Sequence, residues 1–164
     1  MTPKQYTDGV KPGTVMRRLI LTVFLVFLTA PVVRAEMVSV NGDGVNMRSG
    51  PSTGNAVLWE LGRGFPLQVL VRKGEWLKVA DFEGDEGWIH ESVVSRKPHL
   101  VVKVKGNPGQ RVNVRSGPGT NYRVVGQANH GVVFETLEQS KGWAKVRHEK
   151  GLTGWVKRNL LWGW

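Results

Sequence analysis

Cysteine is absent from this chain of 164 residues, which excludes disulfides, thiol nucleophiles and lipid attachment at a cysteine. Acidic side chains are scarce, 13 Asp and Glu against 23 Lys and Arg, so the formal net charge is +10. The four histidines, His90, His99, His130 and His148, include no H-E-x-x-H and no close pair that would hold zinc. Ser-x-x-Lys and phosphate-cradling glycine loops are missing as well. A pair of carboxylates for glycoside cleavage stays open on spacing alone. No catalytic residue, metal or cofactor is therefore assigned, and the chain reads as a protein that is not an enzyme. After the first 35 residues, apolar residues show no helical period beyond about a turn near 90–93 and 157–160.

Glycine is abundant at 21 residues, and with 8 prolines it points to many turns between short strands. The decisive feature is a repeat. Val112-Asn113-Val114-Arg115-Ser116-Gly117-Pro118-Gly119-Thr120 matches Val45-Asn46-Met47-Arg48-Ser49-Gly50-Pro51-Ser52-Thr53 at an offset of 67. The same offset aligns Trp76 with Trp143, Lys78 with Lys145, Val79 with Val146, Gly87 with Gly154 and Trp88 with Trp155, without a gap. In the first copy the runs Met37–Val40, Val45–Arg48, Val57–Leu61, Phe65–Val71, Trp76–Asp81 and Glu86–Ile89 are rich in β-branched and aromatic residues and read as strands. Gly42-Asp43-Gly44, Ser49-Gly50-Pro51, Lys73-Gly74-Glu75 and Glu83-Gly84-Asp85 read as the turns between them. The second copy repeats this, with Asn107-Pro108-Gly109, Lys141-Gly142 and Lys150-Gly151 as turns. Arg96-Lys97-Pro98 is the natural linker.

The N-terminus reads as an address. Arg17-Arg18 precede the apolar run from Leu19 to Ala30, and Val33-Arg34-Ala35 offers a small-residue exit, the pattern of a secretory signal peptide. The run is shorter than the roughly 18–20 apolar residues that span a bilayer, and Pro31 follows it. Cleavage near Ala35 is expected, leaving a periplasmic or secreted protein that meets the membrane only transiently. Met16 would make a conventional start to such a signal. Three segments follow: a signal peptide over 1–35, a first unit over 36–95 and a second over 98–164.

These residues resemble bacterial SH3 domains, whose unit runs V-N-V-R-S-G-P-G-T, then W-x-K-V, then G-W-V. Here the second copy has Val112–Thr120, Trp143-Ala144-Lys145-Val146 and Gly154-Trp155-Val156, while the first departs at Met47 and Ser52. The resemblance implies an all-β protein of two tandem SH3-like small β-barrels after the signal peptide. It also implies wall targeting, often beside a hydrolase domain, though no hydrolase motif is expected in these 164 residues. The end of the first unit is similar to that of eukaryotic SH3 domains, G-Y-I-P-S-N-Y-V. His90 and Val93, and Lys157 and Leu160 in the second unit, stand where that family's groove-lining Pro and Tyr would be. Recognition of proline-rich peptides is not carried over.

Charge divides the copies. From Met37 to Ser95, five basic residues face eight acidic ones, a net of −3; from Arg96 to Trp164, thirteen face three, a net of +10. The basic surface (Lys105 and Arg158 among it) reads equally as solvated or as attracted to an anionic polymer or to the acidic unit. Export argues against nucleic acid as the partner. The Arg-Ser-Gly-Pro stretch occurs in both units of opposite charge, so it reads as a turn scaffold rather than a ligand site. Alternation puts Trp143, Lys145 and Arg147 on one side of a strand, with Ala144 and Val146 as the core face. That leaves Trp143 and Trp76 partly exposed, as platforms for sugar rings or peptide planes. Trp88 and Trp155 are expected to pack inward. Asp81-Phe82-Glu83-Gly84-Asp85-Glu86 reads as a hairpin tip, lacking the spacing of a calcium loop.

The candidate ligand-binding residues are thus Trp76, Trp143 and Arg147, with Tyr122, Arg123, His90 and Lys157 where the copies diverge. The expected function is a non-catalytic exported module that recognises cell-wall peptidoglycan or its peptides. The alternative is a periplasmic adaptor that holds another exported protein, or a scaffold with no wall ligand.

Overall fold

Among the described residues, short runs of β-branched residues cut by glycine turns fold into fourteen strands. The computed structural model describes residues 35–104 and 109–164. The expected signal peptide before Ala35, Lys105 and the Asn107-Pro108 part of a turn lie outside the described residues. The first copy holds β1 (Met37–Val40), β2 (Val45–Arg48), β3 (Val57–Leu61), β4 (Pro66–Lys73), β5 (Trp76–Ala80), β6 (Glu86–His90) and β7 (Val94–Ser95). The second holds β8 (His99–Val102), β9 (Arg111–Arg115), β10 (Val124–Asn129), β11 (Val133–Ser140), β12 (Trp143–Arg147), β13 (Thr153–Lys157) and β14 (Leu161–Gly163). Single 3₁₀ turns at Glu91–Val93 and Arg158–Leu160 precede each last strand. No helix among the described residues is long and apolar enough to cross a membrane.

The two sheets have one topology. Their orders are β3-β2-β6-β5-β4-β1-β7 and β10-β9-β13-β12-β11-β8-β14, antiparallel throughout. Adding seven to each strand number converts the first order into the second. The expected barrels are corrected in one respect: these are open sheets, since β3 and β7, and β10 and β14, stand at opposite ends without pairing. In the first copy the reason is visible in β3, where only Leu61 is buried. Nothing draws the rest of that strand over the core to close a ring.

Each sheet coils around its own apolar cluster. Val38, Val40, Met47, Leu61, Leu67, Leu77, Val79 and Ile89 form one. Leu100, Val102, Val112, Val114, Ala128, Phe134, Ala144, Val146, Val156 and Leu161 form the other. Equivalent positions trade volume: Phe134 replaces Leu67, while Ala144 and Ala128 replace Leu77 and Leu61. Cores tolerate such exchanges when total volume is kept.

The glycine of each late Gly-Trp pair is required by close approach. A Cβ on Gly87 would lie 2.5 Å from Met47 Cγ, and one on Gly154 would lie 2.7 Å from the Arg115 carbonyl oxygen. That crossing fixes which way the neighbours point. Gly87 and Ile89, like Gly154 and Val156, face the core, so Trp88 and Trp155 stand on the outer face and are half-buried. The expectation that they pack inward is thereby corrected.

Side chains also link the copies. Trp164 Nε1–H donates to the buried Ser39 hydroxyl at 3.3 Å. His130 Nε2–H donates to Glu83 at 2.8 Å, and its ring lies 5.1 Å from that of Phe82. Lys103 Nζ donates to the Phe82 carbonyl. Basic groups of the second copy thus engage the acidic hairpin tip of the first.

Candidate functional site

Outward-facing residues of β9, β12 and β13 form a patch of alternating aromatic rings and cations. Cross-strand register sets Trp143 against Lys157, Lys145 against Trp155 and Trp155 against Arg115. Lys157 is exposed, while Trp143, Lys145 and Trp155 are half-buried. Long cationic side chains can lay their methylene stems along the rings and keep their charge in water. Beside this row lies a hollow of about 180 Å³ lined by Asn113, Arg115, Thr120, Trp143, Lys157 and Leu160. An indole wall, three cations (Arg111 also borders the hollow) and two amides (Gln110 beside Asn113) suit a ligand with flat apolar faces and anionic or carbonyl oxygens.

The first copy has the same frame with fewer unpaired cations. Trp76 opposes His90, their rings 5.2 Å apart and edge-on. Lys78 opposes Trp88 but pairs with Glu86 at 2.5 Å. The residue at Glu86's place in the second copy is Thr153, and Lys145 has no ion pair among the described residues. His90 is occupied locally: its Nδ1 accepts from the Ser92 N–H at 3.3 Å, and its Nε2 lies 3.4 Å from Glu75. Lys157, at the same place, makes no capping bond and remains available.

The motif arginines serve their own loops. Arg115 Nη1 donates to the carbonyls of Thr120 and Tyr122 at 2.9 and 2.8 Å, and Arg48 Nη1 donates to that of Asn55 at 2.9 Å. The Tyr122 ring lies over Gly117, where a Cβ would come within 2.4 Å of its Cδ1; Asn55 occupies the same position over Gly50. The motif is a scaffold whose arginine also borders the hollow. One string in it, Gly50-Pro51-Ser52-Thr53-Gly54, spells Gly-x-Ser-x-Gly, a spelling that places a nucleophile only between a strand and a helix. Here β3 follows, and the Ser52 hydroxyl accepts from Asn55 Nδ2 at 2.7 Å.

The structure brings the candidates together only in pairs, Trp143 with Lys157 among them. Trp76 and His90 meet on the first copy's face. Tyr122 and Arg123 are exposed on the loop before β10. Arg147 shares a strand with Trp143 but turns to Glu135, 2.8 Å away, which Lys97 also meets at 3.0 Å. These two cations hold the Glu135 carboxyl below its ordinary value, the Arg147 hydrogen bond contributing most. Arg147 borders a separate hollow of about 550 Å³, with Asp43, Arg63, His99 and Glu149. Lys145, Trp155 and Asn113 were not singled out from sequence as ligand residues. Period-two alternation along β9, β12 and β13 was the signal that could have found them.

The hairpin tip reading holds for the acidic cluster. One Asp81 carboxylate oxygen accepts from the backbone N–H groups of Glu83, Gly84 and Asp85, each at 2.9 Å. His148, its equivalent, caps the other loop by accepting from the Lys150 N–H at 3.2 Å.

Family descriptions agree with this frame: the bacterial SH3 domain matches residues 41–96 and, in a second form, residues 110–161. The chain belongs to the bacterial SH3 domain family and carries two such domains in tandem. It is 26% identical over 144 residues to a putative N-acetylmuramoyl-L-alanine amidase, YrvJ, of Bacillus subtilis, covering 84% of this chain. A 64-residue stretch is 39% identical to serine/threonine-protein kinase D of Synechocystis, covering 35% of this chain. The chain spans 27% of the amidase's length and 12% of the kinase's. Among solved structures, an NlpC/P60 family protein from Bacillus cereus is similar at 12% identity and a TM-score of 0.36, over 79% of this chain and 56% of that one.

Proposed function

We propose that this protein is an exported, non-catalytic module that binds cell-wall peptidoglycan or its peptides. The observation that carries the reading is the outer face of β9, β12 and β13. There Trp143, Lys157, Lys145, Trp155 and Arg115 alternate rings with cations beside an open hollow. Peptidoglycan offers what such a face would take: sugar and peptide planes for the indoles, and carboxylates for the cations. The family, and a relative named for an N-acetylmuramoyl-L-alanine bond, support the same ligand class.

The test is retention of the purified protein on isolated sacculi at low ionic strength. Binding is expected, with steep weakening as salt screens the exposed cations. Trp143→Ala should weaken retention measurably while Trp76→Ala changes it little. Absence of retention at low salt overturns the reading.

A further inference from the structure

The copies leave different surfaces uncovered at the same end of their sheets. In the first copy, Val57, Leu58 and Trp59 of β3 are 48%, 46% and 53% exposed. That strand bonds to β2 on one side and to nothing on the other, among the described residues. In the second copy Val124, at Val57's place, is also exposed at 40%, but the next two positions are covered. Val125 packs against the core, and Gly126 lies under Leu152, whose Cδ2 would be 2.7 Å from an added Cβ. The 67-residue offset puts Trp59 at Gly126's place and Asp85 at Leu152's. The first copy therefore has a large apolar ring where the second has a glycine, and a carboxylate where the second has its apolar cover. β3 also lacks the Lys and Pro that commonly guard an open edge. Both end strands bulge at Leu58 and Val125, and beyond the bulge their register is regular.

Charge selects the occupant. β3 carries Glu60 within a unit of net −3. The span 111–129, which holds β9 and β10, contains Arg111, Arg115 and Arg123 and no acid, within a unit of net +10. β10 itself is uncharged, and the cation at its edge is the exposed Arg123 just before it. Pairing β3 with β3 sets Glu60 against Glu60, and pairing β10 with β10 sets Arg123 against Arg123; only the unlike pairing is attractive. We propose that β3 of one molecule pairs edge to edge with β10 of a second copy of this chain. The join covers Leu58 and Trp59 from one side and Val124, itself 40% exposed, from the other. The contact is heterologous, so each assembly keeps one open β3 and one open β10 and can grow. This proposal stands apart from wall binding, which uses the outer face of β9, β12 and β13.

Sedimentation equilibrium of the purified protein tests it. Weight-average mass should rise with concentration at low ionic strength and fall back to the monomer when salt shortens the screening length. Trp59→Lys, which blocks β3, and Arg123→Glu with Gln127→Glu, which reverses β10, should each abolish the rise. All these side chains are exposed, so both variants should keep the wild-type fold by circular dichroism. An equimolar mixture of the two variants retains one intact β3 and one intact β10, and should restore the association that neither variant shows alone. A monomer at every concentration overturns the proposal. So does a dimer that one variant abolishes and the mixture fails to restore, because that result marks a like-with-like contact.

Discussion

One strand order is built twice, and the two copies differ in what they do with the same positions. The first closes its ions internally: Lys78 meets Glu86, His90 meets Ser92 and Glu75, and Arg72 meets Glu36 at 2.6 Å. The second leaves Lys145 and Lys157 unpaired among the described residues and keeps a hollow beside Trp143. At the end strand the contrast reverses, since the first copy exposes a run of apolar side chains where the second exposes only Val124. A duplicated fold has thus kept its frame and divided its surfaces between a cationic-aromatic face and an apolar edge.

The comparison is broken most sharply in the cores. Phe134→Ala should cost about 3–5 kcal/mol and Leu67→Ala about 2–5 kcal/mol, read as shifts in urea midpoint at unchanged slope. The larger loss is expected for Phe134, which fills space that Ala128 and Ala144 leave. A next test swaps the ionic difference. Thr153→Glu should give Lys145 the partner that Lys78 has, lowering retention on sacculi and flattening its salt dependence. Glu86→Thr should do the reverse for the first copy. Trp143→Ala is expected to weaken retention roughly two- to tenfold, the size of one lost stacking contact.

A smaller effect concerns pH. Burial holds His99 below its ordinary value of 6.5, and its Nδ1–H donates to the Lys97 carbonyl. The unfolded chain takes up that proton first, so the stability is complete above 6.5 and is lost as pH falls toward the lowered value. His99→Gln should flatten this part of the pH–stability curve. Glu135, held low by Arg147 and Lys97, adds a loss of the same sign at more acidic pH, below its ordinary 4.5. The smallest effect is a gain. Lys141 adopts φ 47° where Gly74 stands in the first copy, so Lys141→Gly should stabilise by about 0.5–1 kcal/mol.

Much of the frame could be read from the chain. The strands at Met37–Val40, Val45–Arg48 and Val57–Leu61 begin and end where β-branched runs meet glycine turns. Alternation placed Ala144 and Val146 inside and Trp143 outside, because successive side chains of a strand take opposite faces. The same rule applied to Trp88 would have turned it outward. That required knowing that Gly87 passes over Met47, a contact between strands 40 residues apart in the chain. The partners of Arg147 were not legible for a related reason: Glu135 arrives from β11 and Lys97 from the linker, and no local pattern announces them.

The sequence by itself determined the duplication, the strand positions, the core faces and the unequal charge of the halves. These rest on local periodicity and composition, which backbone geometry converts directly into structure. The tertiary structure alone decided which cations stay unpaired, where Trp143 and Lys157 enclose a hollow, and that Trp59 stands on an open edge while Gly126 is covered. Each of these depends on what a distant part of the chain brings alongside, and pairing and burial exist only once those parts meet.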